Sequence, residues 1–326
     1  MAKAVNVASS NQPTRKKLYV QGLVWLPQNR WWMVTEVREL SKYFDLVQSP
    51  MDADVIYALD PLQPDMQVVT TYISSGASKP IVWRIIAGYP TGMKTPIDEV
   101  KNHVVLALVN SLTTKSDFLK SYPYQPPPME LAYHPLNYEA MQVPKCQQQV
   151  IRYYIYVGAI EKRKRSDWIA EATFRSRTIT RMYFPYAERD VYDEVYRVAQ
   201  TYRNGLIVTL NAPPQEVYPY MSCALALLSA SSWETFFIPG IETAYYARPL
   251  ISTKLPVLDE LWGDTYITYS TVDELAQLMA KYFNDPTELN AYGVKMNDRL
   301  TKELWNKGVG NFGELASKYI YETIQR

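Results

Sequence analysis

Two glutamates eight positions apart, Glu234 and Glu242, are the residues of this chain best suited to do chemistry together. Glu234 follows a short apolar run in a loop. Glu242 falls inside a helix that opens near Pro239 and Gly240, where proline fits the first turn. The first N–H groups of a helix have no partner within it and attract a phosphate. A carboxylate one turn further in can accept hydrogen bonds from paired sugar hydroxyls. A helix start and two carboxylates on one cleft therefore suit a nucleotide-sugar, although the same pair alone could be solvated helix residues. A second cluster, Glu161-Lys162-Arg163-Lys164-Arg165, puts four cations on one strand-to-helix turn. Such a turn can hold a diphosphate, or it can be a basic loop in solvent.

The elements that must position these residues follow from periodicity. Leu18 to Val24 has strand character, and Trp32, Val34, Val37, Leu40 and Tyr43 recur at helical spacing. Apolar runs follow at Asp54 to Leu59, Ile81 to Ile86 and Val104 to Val109, separated by helix or turn signals. Between Tyr122 and Lys145, six prolines punctuate a stretch without helical period, which predicts a stiff, extended linker. The alternation then resumes, with strands predicted over 152–157, 180–184, 206–210 and 225–229 and helices over 166–174, 191–202 and 214–221. Three more helices are predicted over 271–283, 286–305 and 312–324. Alternating strands and helices imply an α/β fold with mainly parallel sheets. The division expected is a disordered tail (1–16), a first domain with linker (17–145), a second domain (146–305), and a C-terminal helix (306–326) packing back on the first domain.

Composition narrows the function. The chain has 326 residues and a formal net charge of +1. No global basic field attracts nucleic acid, and an anion must be held locally. No apolar run approaches the roughly 20 residues of a membrane-spanning helix, and no secretory signal is readable in the polar, lysine-containing start, so a soluble protein is expected. Two cysteines, Cys146 and Cys223, exclude a disulfide framework or a cysteine metal cluster and fit a reducing, cytoplasmic compartment. His103 and His134 are too few for a metal site and read as a strand-edge and a linker residue. The abundant tyrosines, such as Tyr153, Tyr154, Tyr156, Tyr245 and Tyr246, read as packing residues.

The segment from Ser229 to Asp264 resembles the E-x7-E signature of retaining, nucleotide-sugar-dependent glycosyltransferases of family 4 type. These enzymes have the GT-B fold, in which two Rossmann-like domains face each other across a cleft. Glu234 and Glu242 are in register, with Ser231, Phe236, Pro239, the run Ala247-Arg248-Pro249-Leu250-Ile251-Ser252 and Gly263-Asp264 around them. Tyr156-Val157-Gly158-Ala159-Ile160-Glu161-Lys162-Arg163-Lys164 resembles the family's glycine, arginine, lysine turn, with Lys164 at the lysine and Ala159 at the arginine. His134-Pro135-Leu136-Asn137-Tyr138-Glu139 resembles its interdomain segment. Thr235 and Phe237 stand where the family has glycines. In place of the family's first-domain histidine, the segment from Pro80 to Ala87 offers Arg84.

The resemblance implies transfer of a sugar from a nucleoside diphosphate donor to an acceptor hydroxyl of a glycan, lipid or protein. Glu234 and Lys164 would be catalytic. Arg163, Glu242, Phe237, Ile238 and Asn211 would bind the donor, and Trp25, Asn29 and Arg30, with Trp31 and Trp32 nearby, would face the acceptor. No cofactor or metal is expected, because the basic turn and the helix start can offset the diphosphate. The rivals are a GT-B-derived binding or structural protein without turnover, a sugar-nucleotide epimerase and a nucleic-acid glucosyltransferase. The near-zero charge argues against a duplex acceptor.

Overall fold

The computed structural model describes residues 15–22, 31–59, 62, 65–90, 95–143, 146, 151–185 and 187–325. The first domain contains β1 (Lys17–Gln21), α1 (Trp31–Ser41), β2 (Asp45–Val47), β3 (Val55–Ala58), α2 (Met66–Ser74), β4 (Ile81–Ile85), α3 (Pro96–Glu99), β5 (Val104–Val109), α4 (Leu112–Ser121) and β6 (Met129–Leu131). The second contains β7 (Tyr154–Val157), α5 (Ser166–Ser176), β8 (Thr180–Phe184), α6 (Arg189–Thr201), β9 (Leu206–Leu210), α7 (Pro214–Cys223), β10 (Leu227–Ser229), α8 (Ile238–Tyr245), β11 (Leu250–Thr253), α9 (Pro256–Trp262), β12 (Ile267–Tyr269), α10 (Val272–Asn284) and α11 (Thr287–Arg299). A π-helical stretch, Leu300–Leu304, continues α11, and α12 (Phe312–Ile324) ends the chain.

Each domain is built on a six-stranded sheet, ordered β2-β1-β3-β4-β5-β6 and β12-β11-β10-β7-β8-β9. Every pairing is parallel. Such sheets need helices on both faces, so the central strands lose the polar alternation of a half-exposed strand. All residues of β3, β4, β10 and β11 are buried. The expected extended linker over 122–145 is corrected in part: β6 lies within it and pairs with β5 at the sheet edge, where the preceding prolines are tolerated.

After α11 the chain returns to the first domain. Tyr133 N–H donates to the Lys307 carbonyl at 2.8 Å and Leu136 N–H to the Val309 carbonyl at 2.9 Å. Gly308 makes this crossing possible, because its φ of +120° disfavours other residues and a Cβ there would meet Tyr133 N at 2.6 Å. α12 then seats Phe312, Ala316 and Ile320 among Leu18, Met33, Val37 and Leu40. Its Gly313 lies so close to α1 that a Cβ would meet the Glu39 carbonyl at 2.5 Å.

Cys146 and Cys223 form a disulfide, with Cα atoms 5.3 Å apart, that ties the segment after the first domain to the end of α7. This pairing runs against reading the two cysteines as thiols of a reducing compartment. Among the described residues no helix is long and apolar enough to cross a membrane. Residues 1–14, most of the expected tail, lie outside the described residues.

Candidate active site

The second sheet changes direction between β7 and β10: the chain runs outward from β7 through β8 to β9, then crosses to β10, β11 and β12. Ligands of open parallel sheets bind outside the carboxyl ends of the strands at such a point. The two segments singled out by sequence emerge there, the basic turn after β7 and the Glu234 loop after β10.

They are joined to each other. Ser232 N–H donates to the Arg163 carbonyl at 2.7 Å, and Arg163 Nη1 donates to the Trp233 carbonyl at 3.0 Å. Glu234 is 7% exposed, accepts from Ser231 Oγ at 2.7 Å, and pairs with Lys164 Nζ and with Arg163 Nη1, the latter at 3.3 Å. Arg163 is shared, since its Nε lies 2.7 Å from Glu161 Oε2. A buried carboxylate is tolerable only with partners of this kind.

Glu242 stands one turn into α8 and is 2% exposed. It accepts a hydrogen bond from Tyr218 Oη of α7 at 2.8 Å. Burial pushes its carboxyl up to about 8, against the opposing effect of that hydrogen bond. Among the described residues, Glu242 has no cationic partner within ion-pairing distance, in contrast to Glu234.

A cleft of about 670 Å³ opens above these groups. Lys164, Asn211, Phe237, Ile238 and Glu242 line it, together with Gly158, Tyr183 and Tyr218. Asn211 takes up a left-handed backbone (φ 55°) at the end of β9, a conformation asparagine tolerates better than most residues. Ile238 and Pro239 bring the start of α8 to the cleft wall. Arg163 and Glu234 stand beside the wall, reaching it through Lys164. Among the described residues of the first domain, Trp32 is on the lining. Trp25, Asn29 and Arg30, the expected acceptor-side residues, lie outside the described residues. No group of three or more His, Cys, Asp or Glu side chains comes together as a metal site among the described residues.

The first domain contributes a buried polar cluster that sequence reasoning missed. Glu36 and Arg84 have fully buried side chains and form an ion pair at 2.5 Å, and His134 Nδ1 lies 2.6 Å from Glu36 Oε1. Asn110 Nδ2 is 3.2 Å from His134 Nε2. Burial works to raise the Glu36 carboxyl, but Arg84 and His134 hold it below its usual value. Burial also pushes the His134 imidazole down, despite Glu36. The network assigns Nδ1–H to the Glu36 carboxylate and leaves Nε2 accepting from Asn110. His134, read from sequence as a linker residue, is thus a buried hydrogen-bonding residue whose ring meets Trp32 edge-on at 4.5 Å. The sequence signal for the cluster was an arginine inside the apolar run of β4.

No family model matches the chain, and no curated protein matches it in sequence. Solved structures do match its shape. HepE from Anabaena, solved with UDP and glucose, superposes with a TM-score of 0.73 at 12% identity, covering 94% of this chain and 100% of that one. WaaG, a glycosyltransferase involved in lipopolysaccharide biosynthesis, gives 0.65 at 12% identity over 93% and 99% of the two chains. Sucrose-phosphate synthase from Thermosynechococcus elongatus gives 0.64 at 13% identity over 90% and 78%. The fold is GT-B. A GT-B molecule has its cleft between two parallel α/β domains, and here Glu234, Lys164 and Glu242 gather on the second-domain side of it.

Proposed function

We propose that this chain is a glycosyltransferase that moves a sugar from a nucleoside diphosphate sugar to an acceptor hydroxyl, with retention at the anomeric carbon. The observation that carries the reading is the convergence of Lys164, the start of α8 and Glu242 on one cleft, with Glu234 held against Lys164. Lys164 suits the diphosphate, with the positive end of the α8 dipole beside it. Glu242, without a cation to neutralise it, suits the ribose hydroxyls. Glu234 lies beside the transferred sugar, where a carboxylate stabilises positive charge developing at the anomeric carbon. The bond from that carbon to the phosphate oxygen breaks and the acceptor oxygen takes its place, its proton leaving with the diphosphate. Charge on the leaving group is met by Lys164, Arg163 and the helix start, so neutralising it does not demand a divalent cation. The acceptor, a glycan, lipid or protein hydroxyl, enters on the Trp32 side.

Calorimetry with UDP, GDP and ADP on the native protein and on Glu242→Ala tests the donor assignment. A hydrogen bond to a charged group contributes roughly 1.5 to 3 kcal/mol, so the substitution is expected to raise the Kd of the best nucleotide by about 10-fold or more. Unchanged affinity refutes the assignment. Tight binding of UDP-glucose without transfer or hydrolysis would instead assign a binding protein.

A further inference from the structure

The Glu234 loop belongs to the second domain, yet the first domain holds it. The Thr235 carbonyl accepts from Ser111 Oγ at 2.7 Å and from Thr114 Oγ1 at 3.2 Å. The next side chain, Phe236, packs on Tyr133 and His134 with ring centroids 5.5 and 5.2 Å apart. Ser111 caps α4 and Thr114 lies in its first turn, and this same helix start is held by a second group of the second domain. Glu260 of α9, in the second domain, accepts from Leu112 N–H at 2.8 Å, Thr113 N–H at 2.9 Å and Thr113 Oγ1 at 3.0 Å. It also accepts from Tyr133 Oη at 3.0 Å. A carboxylate on the free N–H groups of a helix start makes charge-assisted bonds and meets the positive end of the helix dipole.

The two sets of contacts are reciprocal. α4 is anchored to the second domain by Glu260, and the anchored helix then presents its hydroxyls to the residue after Glu234. The end of α9 is fixed in turn by Arg299, which donates to the Leu261 carbonyl at 2.6 Å and the Glu260 carbonyl at 3.2 Å. Ser111, Thr114, Glu260 and Arg299 do not line the cleft, so their effect on a bound donor must pass through the loop.

We infer that Ser111 and Thr114, from across the cleft, and Glu260, which holds their helix from the second domain, are positioning residues for the Glu234 carboxylate, so that meeting of the two domains and setting of that carboxylate are one event. The inference rests on the transferase reading of Glu234. When the domains separate, Glu260 leaves the start of α4, the Thr235 carbonyl loses both hydroxyls, and the loop is held by its second-domain contacts alone. Nucleotide binding, which uses Lys164 and Glu242 of the second domain, does not need the latch.

Hydrogen exchange and turnover together test this. In Glu260→Ala, and more mildly in Glu260→Gln, exchange of the amides over 233–237 is expected to accelerate about 10-fold or more as the loop is released. The kcat for hydrolysis of UDP-glucose is expected to fall by about 10- to 100-fold, the scale of a small misplacement of a reacting group. The Kd for UDP stays within about 2-fold, a split that a general loss of folding would not give. Thr114→Val should act in the same direction and Thr114→Ser should restore it. Unchanged exchange in Glu260→Ala overturns the latch, and accelerated exchange with unchanged kcat overturns the positioning role. If the native protein turns over none of a panel of UDP-, GDP- and ADP-sugars, the transferase reading fails on that result, while the exchange comparison still decides the latch.

Discussion

Glu242→Gln is expected to stabilise the protein, and increasingly so as pH rises. Glu242 is buried, hydrogen-bonded by Tyr218, and has a carboxyl raised from 4.5 to about 8. Between those two pH values the folded chain keeps a proton that the unfolded chain has lost, so folding loses stability as pH rises through this window. Below about pH 4.5 the carboxyl costs nothing extra, and by pH 8 the full cost is near. A rise of that size corresponds to on the order of 5 kcal/mol. Glutamine has nearly the same shape, can still accept from Tyr218, and has no proton to lose. The stability gap between variant and native protein should therefore widen by about 3 kcal/mol between pH 5 and pH 8, most of the calculated cost. At roughly 2 to 4 °C per kcal/mol for a domain of this size, the Tm difference grows by about 6 °C or more. Thermal melts of both proteins at pH 5, 6, 7 and 8, without nucleotide, measure it. Parallel Tm curves, or a gap that shrinks with pH, would refute the premise that an ionised Glu242 lacks compensation in the free protein.

Other expectations concern turnover, linkage and the disulfide. Glu234→Gln is expected to lower kcat by about 100-fold while UDP affinity is kept or tightened, because Lys164 and Arg163 lose a competing partner; steady-state kinetics with calorimetry checks both. UDP binding near pH 7 should release protons as Glu242 ionises to accept the ribose hydroxyls, and affinity should rise with pH up to about 8; calorimetry in buffers of different ionisation enthalpy reads the proton count. Cys146→Ser should cost about 2 to 4 kcal/mol by opening a link across 77 residues, seen as a lower denaturation midpoint.

The sequence carried the two α/β units well, because their central strands are continuous apolar runs and their helices keep a clear period. It concealed β2 and β6, which have three residues each, are the two edge strands of the first sheet and lack the burial that writes a pattern into a strand, and it left the short, buried β11 unassigned. Prolines directly before β6 made it read as linker. Glu234, Glu242, Arg163 and Lys164 were legible because they lie in short segments whose spacing has chemical meaning. The Glu36–Arg84–His134 cluster was not, since its members are 48 to 98 residues apart in sequence and meet only when β4, α1 and the segment after β6 come together. Tyr218 was similarly hidden. Nothing in an amphipathic helix distinguishes a tyrosine that packs from one that donates to a carboxylate 24 positions away.

The two glutamates of the cleft solve the same difficulty in different ways, and the difference fits their proposed work. Glu234 is buried against two cations and a serine hydroxyl, partners that offset the burial of its carboxylate. Glu242 has one tyrosine hydroxyl and a raised pKa, so its ionised form is held in reserve. On the proposed reading a ribose with two hydroxyl donors would supply what the free site lacks, and the stability lost by burying Glu242 would become selectivity for a ligand that brings them. A diphosphate would do the complementary thing at Lys164, giving that lysine a second anionic partner beside Glu234. Both exchanges are driven from one ligand, its phosphates on one side and its ribose on the other. A ligand with only one of these parts should therefore bind much more weakly than the two contributions taken separately would suggest.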